Sequence, residues 1–186
     1  MKPLFVALDL EFNQPSQKII QIGAVVADIR TSSVLSRFSV FVNPSEPLNP
    51  EIADLCGIAP EVLAMAGDLA EGCEQLTAWL APFAAERQLN PLTWGGGDSL
   101  QLREQAGARD ERWLFGRRWL DVKTVFAAYM HSEGKDASGG LGASMKKVGL
   151  LFQGRPHDAA ADAHNTALMY FQVLRRLRTP ATARKD

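Results

Sequence analysis

Three strand-like runs follow one another at the start of the chain and constrain the fold more than any other feature. Residues 4–12 (LFVALDLEF) and 18–28 (KIIQIGAVVAD) are rich in apolar and β-branched side chains, and residues 34–42 (VLSRFSVFV) alternate in part. The turn-forming segments Asn13-Gln14-Pro15-Ser16 and Thr31-Ser32-Ser33 separate them. Because short connections join neighbouring antiparallel strands, the sequence predicts a three-stranded antiparallel meander.

After residue 42 the pattern changes to helices and short strands. Asp68 followed by Glu71 resembles a capping box, which predicts a helix that runs to about residue 87. Apolar side chains recur at helical spacing along it and are expected in the core: Leu76, Trp79, Leu80 and Phe83. The other predicted elements are short helical patches at 52–56 and 60–65, a strand at 91–95, and helices at 99–105, 120–131, 141–148 and 159–177.

This order of elements predicts the fold class. A meander followed by alternating strands and helices is typical of an α/β domain with a mixed central sheet, in which the meander is extended by parallel strands and flanked by helices. We find no internal repeat and no interdomain linker. We therefore expect one domain over residues 1–178 and a polar tail over 179–186.

Composition argues against several classes of protein. The chain has 186 residues, of which 46% are hydrophobic, and 20 Lys+Arg against 21 Asp+Glu give a net charge of −1. This balance argues against a protein that coats nucleic acid by bulk positive charge.

The sequence shows no membrane or secretory pattern. Its apolar stretches fall short of the ~18 residues of a membrane span, and its first residues do not have the long apolar region of a secretory signal. We expect a cytoplasmic location and no membrane contact. Cys56 and Cys73 are expected to pack in the core.

Four carboxylates occupy positions that a purely structural role explains poorly. Asp9 and Glu11 are two residues apart in an apolar strand, so they point to the same face, where two like charges are costly without a compensating cation. Asp98 follows a short strand that ends in three glycines, and Asp162 lies in an alanine-rich opening turn five residues after His157. The combination predicts a metal-dependent or catalytic site.

Each member of this set has a structural alternative when it is taken alone. Asp98 could be the N-cap of the helix that follows it. Asp162 could complement the dipole of the last helix. His157 could be a loop histidine whose ring is satisfied by the backbone.

The order of these residues resembles a known family. The segments that carry the resemblance are Leu8-Asp9-Leu10-Glu11, Ile20-Gln21-Ile22-Gly23-Ala24-Val25, Trp94-Gly95-Gly96-Gly97-Asp98, and Gly154-Arg155-Pro156-His157 with Asp162 after it. They resemble the motifs of the DEDDh (DnaQ-like) 3′–5′ exonucleases, most closely the ERI-1/KapD-like branch. The resemblance covers about residues 4–177 and implies a ribonuclease H-like fold, two divalent cations, Mg²⁺ or Mn²⁺, and removal of nucleotides from a 3′ end.

The resemblance also implies a role for each member of the set. Asp9 would bridge two cations, Glu11 and Asp162 would complete one cation site, and Asp98 would support the other. His157 would act as the general base and would not be a metal ligand. Oxygen ligands favour Mg²⁺ or Mn²⁺ over zinc, and a pair of such ions suits phosphodiester hydrolysis.

Substrate contacts are predicted at six residues. Phe12 and Ile58 could form an apolar wedge for the terminal base, with core packing as the alternative for both. Asn13 and the backbone beside Leu10 and Phe12 are candidates for reading the 2′-hydroxyl of RNA. The remaining two residues, Lys146 and Arg155, are candidates for phosphate contacts.

The sequence therefore predicts a two-metal 3′–5′ exonuclease that acts on single-stranded nucleic acid with a free 3′ end. From the resemblance we expect RNA to be favoured over DNA. Two alternatives stay open: a DNA proofreading or repair exonuclease, and a non-catalytic adaptor that binds nucleic acid. The complete set of four acids and His157 argues against the adaptor, and the polar segment after Leu177 shows no polymerase-docking pattern.

Overall fold

The N-terminal meander forms as the sequence predicts. The computed structural model describes residues 4–84, 89, 91–107, 115 and 118–178. Strands β1 (Leu4–Phe12), β2 (Ile19–Asp28) and β3 (Ser33–Phe41) pair in antiparallel order. Strands β4 (Pro91–Thr93) and β5 (Leu120–Asp121) extend the sheet in parallel, so that its order is β3-β2-β1-β4-β5. The predicted α/β architecture with a mixed sheet is confirmed.

Seven helices surround the sheet in the part of the chain that the structure describes. They are α1 (Pro50–Cys56), α2 (Pro60–Ala64), α3 (Leu69–Ala84), α4 (Gly97–Gln105), α5 (Val122–Ser132), α6 (Leu141–Lys147) and α7 (Ala159–Arg178). The predicted capping box opens α3: the amide of Glu71 donates to Asp68 Oδ1 at 3.0 Å, and the amide of Asp68 donates to Glu71 Oε2 at 3.1 Å. The predicted end of this helix near residue 87 and the tail at 179–186 lie outside the described residues.

The predicted helix at 120–131 is wrong at its start. Leu120 and Asp121 form β5 and pair with Leu92 and Thr93 of β4. Asp121 is the N-cap of α5, and its carboxylate accepts the amides of Lys123 and Thr124. An N-cap residue has an extended backbone, which lets the residues before the helix join the sheet.

The sheet separates two apolar cores, and β1 contributes to both by strand alternation. Phe5 and Ala7 face α5, α6 and α7, whereas Val6, Leu8 and Leu10 pack with α3 and α4. The predicted apolar stripe of α3 lies in this second core, with Leu76 and Leu80 fully buried. Among the described residues, no helix has the length and apolar character needed to cross a membrane.

Candidate active site

Strand alternation directs Asp9 and Glu11 toward α7. They continue the row of Phe5 and Ala7, at the point where β1 ends and the apolar core gives way to polar groups. On the neighbouring strand, Asp9 lies opposite Gly23 and Glu11 lies opposite Gln21. Both carboxylates therefore face the start of α7.

Gly23 and Gln21 let α7 begin against the sheet. A Cβ atom on Gly23 would lie 2.0 Å from the carbonyl carbon of Ala159 and 2.2 Å from the nitrogen of Ala160, so only glycine permits this approach. The buried Gln21 accepts the Ala159 amide through Oε1 at 3.2 Å. This satisfies one of the unpaired N–H groups at the start of the helix. The contact brings Asp162, in the first turn of α7, to the ends of β1 and β2.

Asp98 reaches the same end of the sheet from the turn after β4. The Gly95 amide donates to Asp121 Oδ1 at 2.9 Å, and Thr93 Oγ1 donates to the Gly95 carbonyl at 2.6 Å. These bonds fix the turn from which α4 begins. Gly96 is the N-cap of α4 and Asp98 is its second residue, so the N-cap alternative for Asp98 is wrong.

His157 and Asp162 are joined through the backbone. The His157 amide donates to Asp162 Oδ2 at 3.0 Å, and His157 has a left-handed φ of 62°. Its side chain is exposed. One potential ligand atom from each of His157, Asp162 and Glu11 lies within 4.8 Å of the others, so the loop and the helix meet the buried end of β1.

The carboxylates lie close enough to raise one another's pKa. Burial raises the pKa of Asp9 well above its usual value, and the charges of Asp98, Asp162 and Glu11 raise it further. Burial, with the charges of Asp162 and Asp98, raises the pKa of Glu11 to about 7. Burial and the charge of Asp162 raise the pKa of Asp98 to about 7. Burial also raises the pKa of Asp162, whereas the hydrogen bond from the His157 backbone amide lowers it. In this acidic cluster of Asp9, Glu11, Asp98 and Asp162, the charge of His157 acts in the opposite sense and lowers the pKa of Asp162.

Cys56 contacts the acidic cluster directly. The buried Cys56 thiol donates to Glu11 Oε2 at 3.4 Å, and its pKa rises to about 12 because of burial and the charge of Glu11. It remains a protonated donor near neutral pH. The sequence predicted core packing for Cys56, which is confirmed, but gave no sign of the contact with Glu11.

The side chains of two predicted substrate contacts, Asn13 and Leu10, are engaged within the fold. Asn13 is 1% exposed, and its amide donates to Glu46 and to the Pro47 carbonyl while it accepts the Asn49 amide. These bonds hold a loop and leave the side chain no donor for a sugar. The Leu10 side chain is buried in the core on the α3 side, although its backbone stays a candidate.

The other four predicted contacts lie in different surroundings. Ile58 is 5% exposed and packs with Ile20 and Cys56, and Phe12 is half-buried against the core on the α3 side. Lys146 is exposed on the last turn of α6. Arg155 Nη2 donates to the carbonyls of Asp54 and Leu55, so part of its guanidinium is occupied by α1.

Comparison with known proteins shows which exonucleases the chain resembles. The RNase T exonuclease family model matches residues 6–92, which include Asp9 and Glu11. Human ERI1 exoribonuclease 2 is 26% identical over 183 residues, a match that covers 86% of this chain and 26% of that protein. The nuclease domain of 3′hExo, described as a DEDDh family member bound to rAMP, aligns with a TM-score of 0.81 and 18% identity over 94% of this chain and 93% of that one. The chain resembles the DEDDh exonucleases in its fold, and the matched family model spans Asp9 and Glu11.

The likeness to solved structures shows the ribonuclease H-like DEDDh fold. A second example is a 3′-exonuclease described in 3′-end specific recognition of a histone mRNA stem-loop, with a TM-score of 0.80 and 17% identity over 94% of this chain and 83% of that one. The chain spans about a quarter of the length of the curated relatives it matches. The resemblance to DEDDh exonucleases implies divalent metal ions, and the acidic cluster has the oxygen donors that such ions need.

Sequence reasoning missed what brings the DEDDh residues together. Gly23 lies in an otherwise β-branched and apolar strand, where a glycine indicates a bulge or a close backbone approach. The sequence therefore indicated that some backbone passes close to Gly23. It did not indicate that this backbone is the start of α7 at Ala159, 136 residues further along the chain. Only the packed structure identifies which backbone approaches Gly23.

Proposed function

We propose that this chain is a metal-dependent 3′–5′ exonuclease that hydrolyses single-stranded nucleic acid. The observation that carries the proposal is the acidic cluster, formed by Asp9, Glu11, Asp98 and Asp162, with the exposed His157 at its edge. Four carboxylates with raised pKa values fit a site built for cations, because bound cations favour the ionised forms. The family match supports the same activity.

The donor set fits two divalent cations, Mg²⁺ or Mn²⁺. Asp9 is affected by the charges of all three other acids and is the carboxylate best placed to serve both ions. Glu11 and Asp162 would complete one site, and Asp98 the other. Bound divalent ions would neutralise charge on the phosphate and the leaving oxygen and lower the pKa of an attacking water.

The side chains of this chain supply the remaining functions. His157 is exposed and would accept a proton from the attacking water, as a histidine can near neutral pH. The hydrogen bond from the His157 backbone amide to Asp162 keeps the histidine next to this proposed metal ligand. Cys56 holds one oxygen of Glu11 and leaves the other for a cation.

We further propose that RNA is favoured over DNA. Support comes from the human relative, which is named an exoribonuclease, and from the 3′hExo nuclease domain, which was solved with rAMP. Because Asn13 is buried and both N–H groups of its amide are used, we assign recognition of the 2′-hydroxyl to the backbone beside Leu10 and Phe12. The acidic cluster acts on phosphate and does not itself exclude DNA.

The test uses matched single strands of RNA and DNA, labelled at the 3′ or the 5′ end, with Mg²⁺ or Mn²⁺ and with a chelator as control. We expect the 3′ label to be released as a mononucleotide and the 5′-labelled strand to shorten stepwise. Internal cuts, release from the 5′ end, or equal rates with chelator would contradict the exonuclease proposal. An RNA with a 2′-deoxy terminal residue tests the sugar: equal kcat/KM on all three substrates would contradict only the RNA preference.

A further inference from the structure

The loop that carries His157 is anchored to helix α1 by one side chain. Arg155 Nη2 donates to the Asp54 carbonyl at 2.7 Å and to the Leu55 carbonyl at 3.3 Å. Both carbonyls lie in the last turn of α1, where the helix leaves C=O groups unpaired and its dipole is negative. A guanidinium suits this position because one planar group carries several donors.

Gly57 makes room for this contact. A Cβ atom on Gly57 would lie 1.6 Å from Nη1 and 2.2 Å from Cζ of Arg155. The guanidinium therefore lies directly against the backbone of Gly57, which ends α1 with a φ of 67°. The preceding residue in the same turn is Cys56, whose thiol donates to Glu11. One turn of α1 thus contacts both Glu11 and the loop that carries His157.

Several hydrogen bonds join the same loop to α7, two of them through its backbone amides. The Gln153 amide donates to Asn165 Oδ1 at 3.0 Å, and the His157 amide donates to Asp162 Oδ2 at 3.0 Å. Both acceptors belong to α7. Arg155 lies between these two bonds and supplies the contact with α1, so the backbone of His157 is held between α7 and α1.

We propose that Arg155 is a positioning residue that acts through His157, by fixing the His157 loop against the end of α1. This inference gives Arg155 a role different from the phosphate contact predicted from the sequence, and it rests on the proposed function. A phosphate contact needs the arginine charge close to the substrate, whereas positioning needs the contact with α1.

The first test compares Arg155→Ala with Arg30→Ala, which removes an exposed arginine in the turn after β2. We expect Arg155→Ala to lower kcat between about 10- and 100-fold, the effect of a misplaced catalytic group. KM on a single-stranded oligomer should change less than about twofold, and Arg30→Ala should match the wild type. In a His157→Ala background, Arg155→Ala should add little, because both changes remove the same function. A raised KM with unchanged kcat, or fully additive losses, would overturn the proposal.

The second test moves the guanidinium without removing its charge. Gly57→Ala places a methyl group where Arg155 lies, and we expect it to lower kcat as Arg155→Ala does. The matched control is Gly134→Ala: Gly134 has the same φ of 67° and no atom within 4 Å of an added Cβ, so it carries the same backbone strain without the contact. Wild-type kcat for a folded Gly57→Ala would contradict positioning.

A third measurement does not depend on activity. Residue-resolved hydrogen exchange on the metal-free protein should show faster exchange of the His157 amide in Arg155→Ala, while the Gln153 amide, which is bonded to Asn165, stays as in the wild type. Unchanged exchange at His157 would overturn the positioning role. Because exchange needs no substrate, this result stands even if the protein proves not to be an exonuclease.

Discussion

Asp9 shows at the scale of one residue how the fold accepts an unfavourable charge. Burial and four neighbouring carboxylates, Asp98, Asp162, Glu11 and Asp158, raise its pKa, so the folded chain without a cation loses stability when Asp9 ionises. If position 9 served stability alone, we would expect an apolar residue there, as at Phe5 and Ala7 on the same face of β1. The cost is explained if Asp9 binds cations.

We expect Asp9→Ala and Asp162→Ala to abolish hydrolysis, since each change removes a proposed metal ligand. The melting temperature without metal should hold or rise, because charge repulsion in the acidic cluster is relieved. Single-turnover kinetics measure the loss of hydrolysis, and calorimetric titration with Mn²⁺ measures the loss of metal binding. Asp136→Ala, at an exposed site, is the control. Near-wild-type turnover in either variant would remove the assignment.

His157→Ala should lower turnover by roughly 10²–10⁴, the range of a lost general base, with little change in metal affinity. His131→Ala is the matched control, because His131 is exposed on α5. His164 is 5% exposed and its ring contacts Arg37 and Gln153, so its loss should affect stability more than chemistry. A large fall in Mn²⁺ affinity in His157→Ala would instead make His157 a metal ligand.

At the scale of elements, the start of α7 against β2 assembles the site. Gly23 permits the backbone approach, Gln21 satisfies the Ala159 amide, and Asp162 follows in the first turn. The small buried residues Ala159, Ala163 and Ala167 keep α7 close to the sheet along its length. The distance between helix and strand therefore sets the distance between Asp162 and the acids of β1.

Gly23→Ala should shift the start of α7 away from β2, because the added Cβ would overlap backbone atoms that cannot rotate away. We expect a loss of about 1–3 kcal/mol in the free energy of unfolding, the usual cost of overpacking, together with a large fall in kcat. Urea unfolding and steady-state kinetics measure both. Gly140→Ala is the control, since an added Cβ there meets no atom within 4 Å. Wild-type values for Gly23→Ala would contradict this account of the site.

At the scale of the whole molecule, the acidic cluster makes stability depend on pH, and we expect cations to change that dependence. The pKa values of Glu11 and Asp98 are about 7 in the folded chain, above their ordinary values of 4.5 and 3.8. The folded state therefore holds these protons more tightly than the unfolded chain does. This contribution to stability is present at low pH and is lost as the pH rises through about 7. Bound cations should reverse the loss, because they stabilise the ionised carboxylates of the folded state.

The melting temperature of the metal-free protein should fall from about pH 5 to about pH 8, and Mg²⁺ or Mn²⁺ should raise it most at the upper end. Asp98→Asn should flatten the dependence, since it removes one of the titrating groups. Asp136→Asn is the control: hydrogen bonds from Lys147 and Ser138 hold the pKa of Asp136 well below its usual value, so this group does not titrate in that range. A melting temperature that rises with pH in the absence of metal would contradict the raised pKa values.

The sequence by itself predicted most of the elements and named the four acids that the structure brings close together. Local patterns were sufficient for this, since strand alternation put Asp9 and Glu11 on one face and the capping box opened α3. The sequence predicted a helix at Leu120 and Asp121, because the two-residue strand β5 forms only by pairing with β4.

Only the tertiary structure decided the contacts between distant segments. It showed that Asn13 serves a loop, that Cys56 bonds to Glu11, and that Arg155 bonds to the end of α1. Each of these partners is more than 30 residues away along the chain. A side chain's local sequence fixes its direction, but its role depends on what packing places opposite it, and that is set by the fold as a whole.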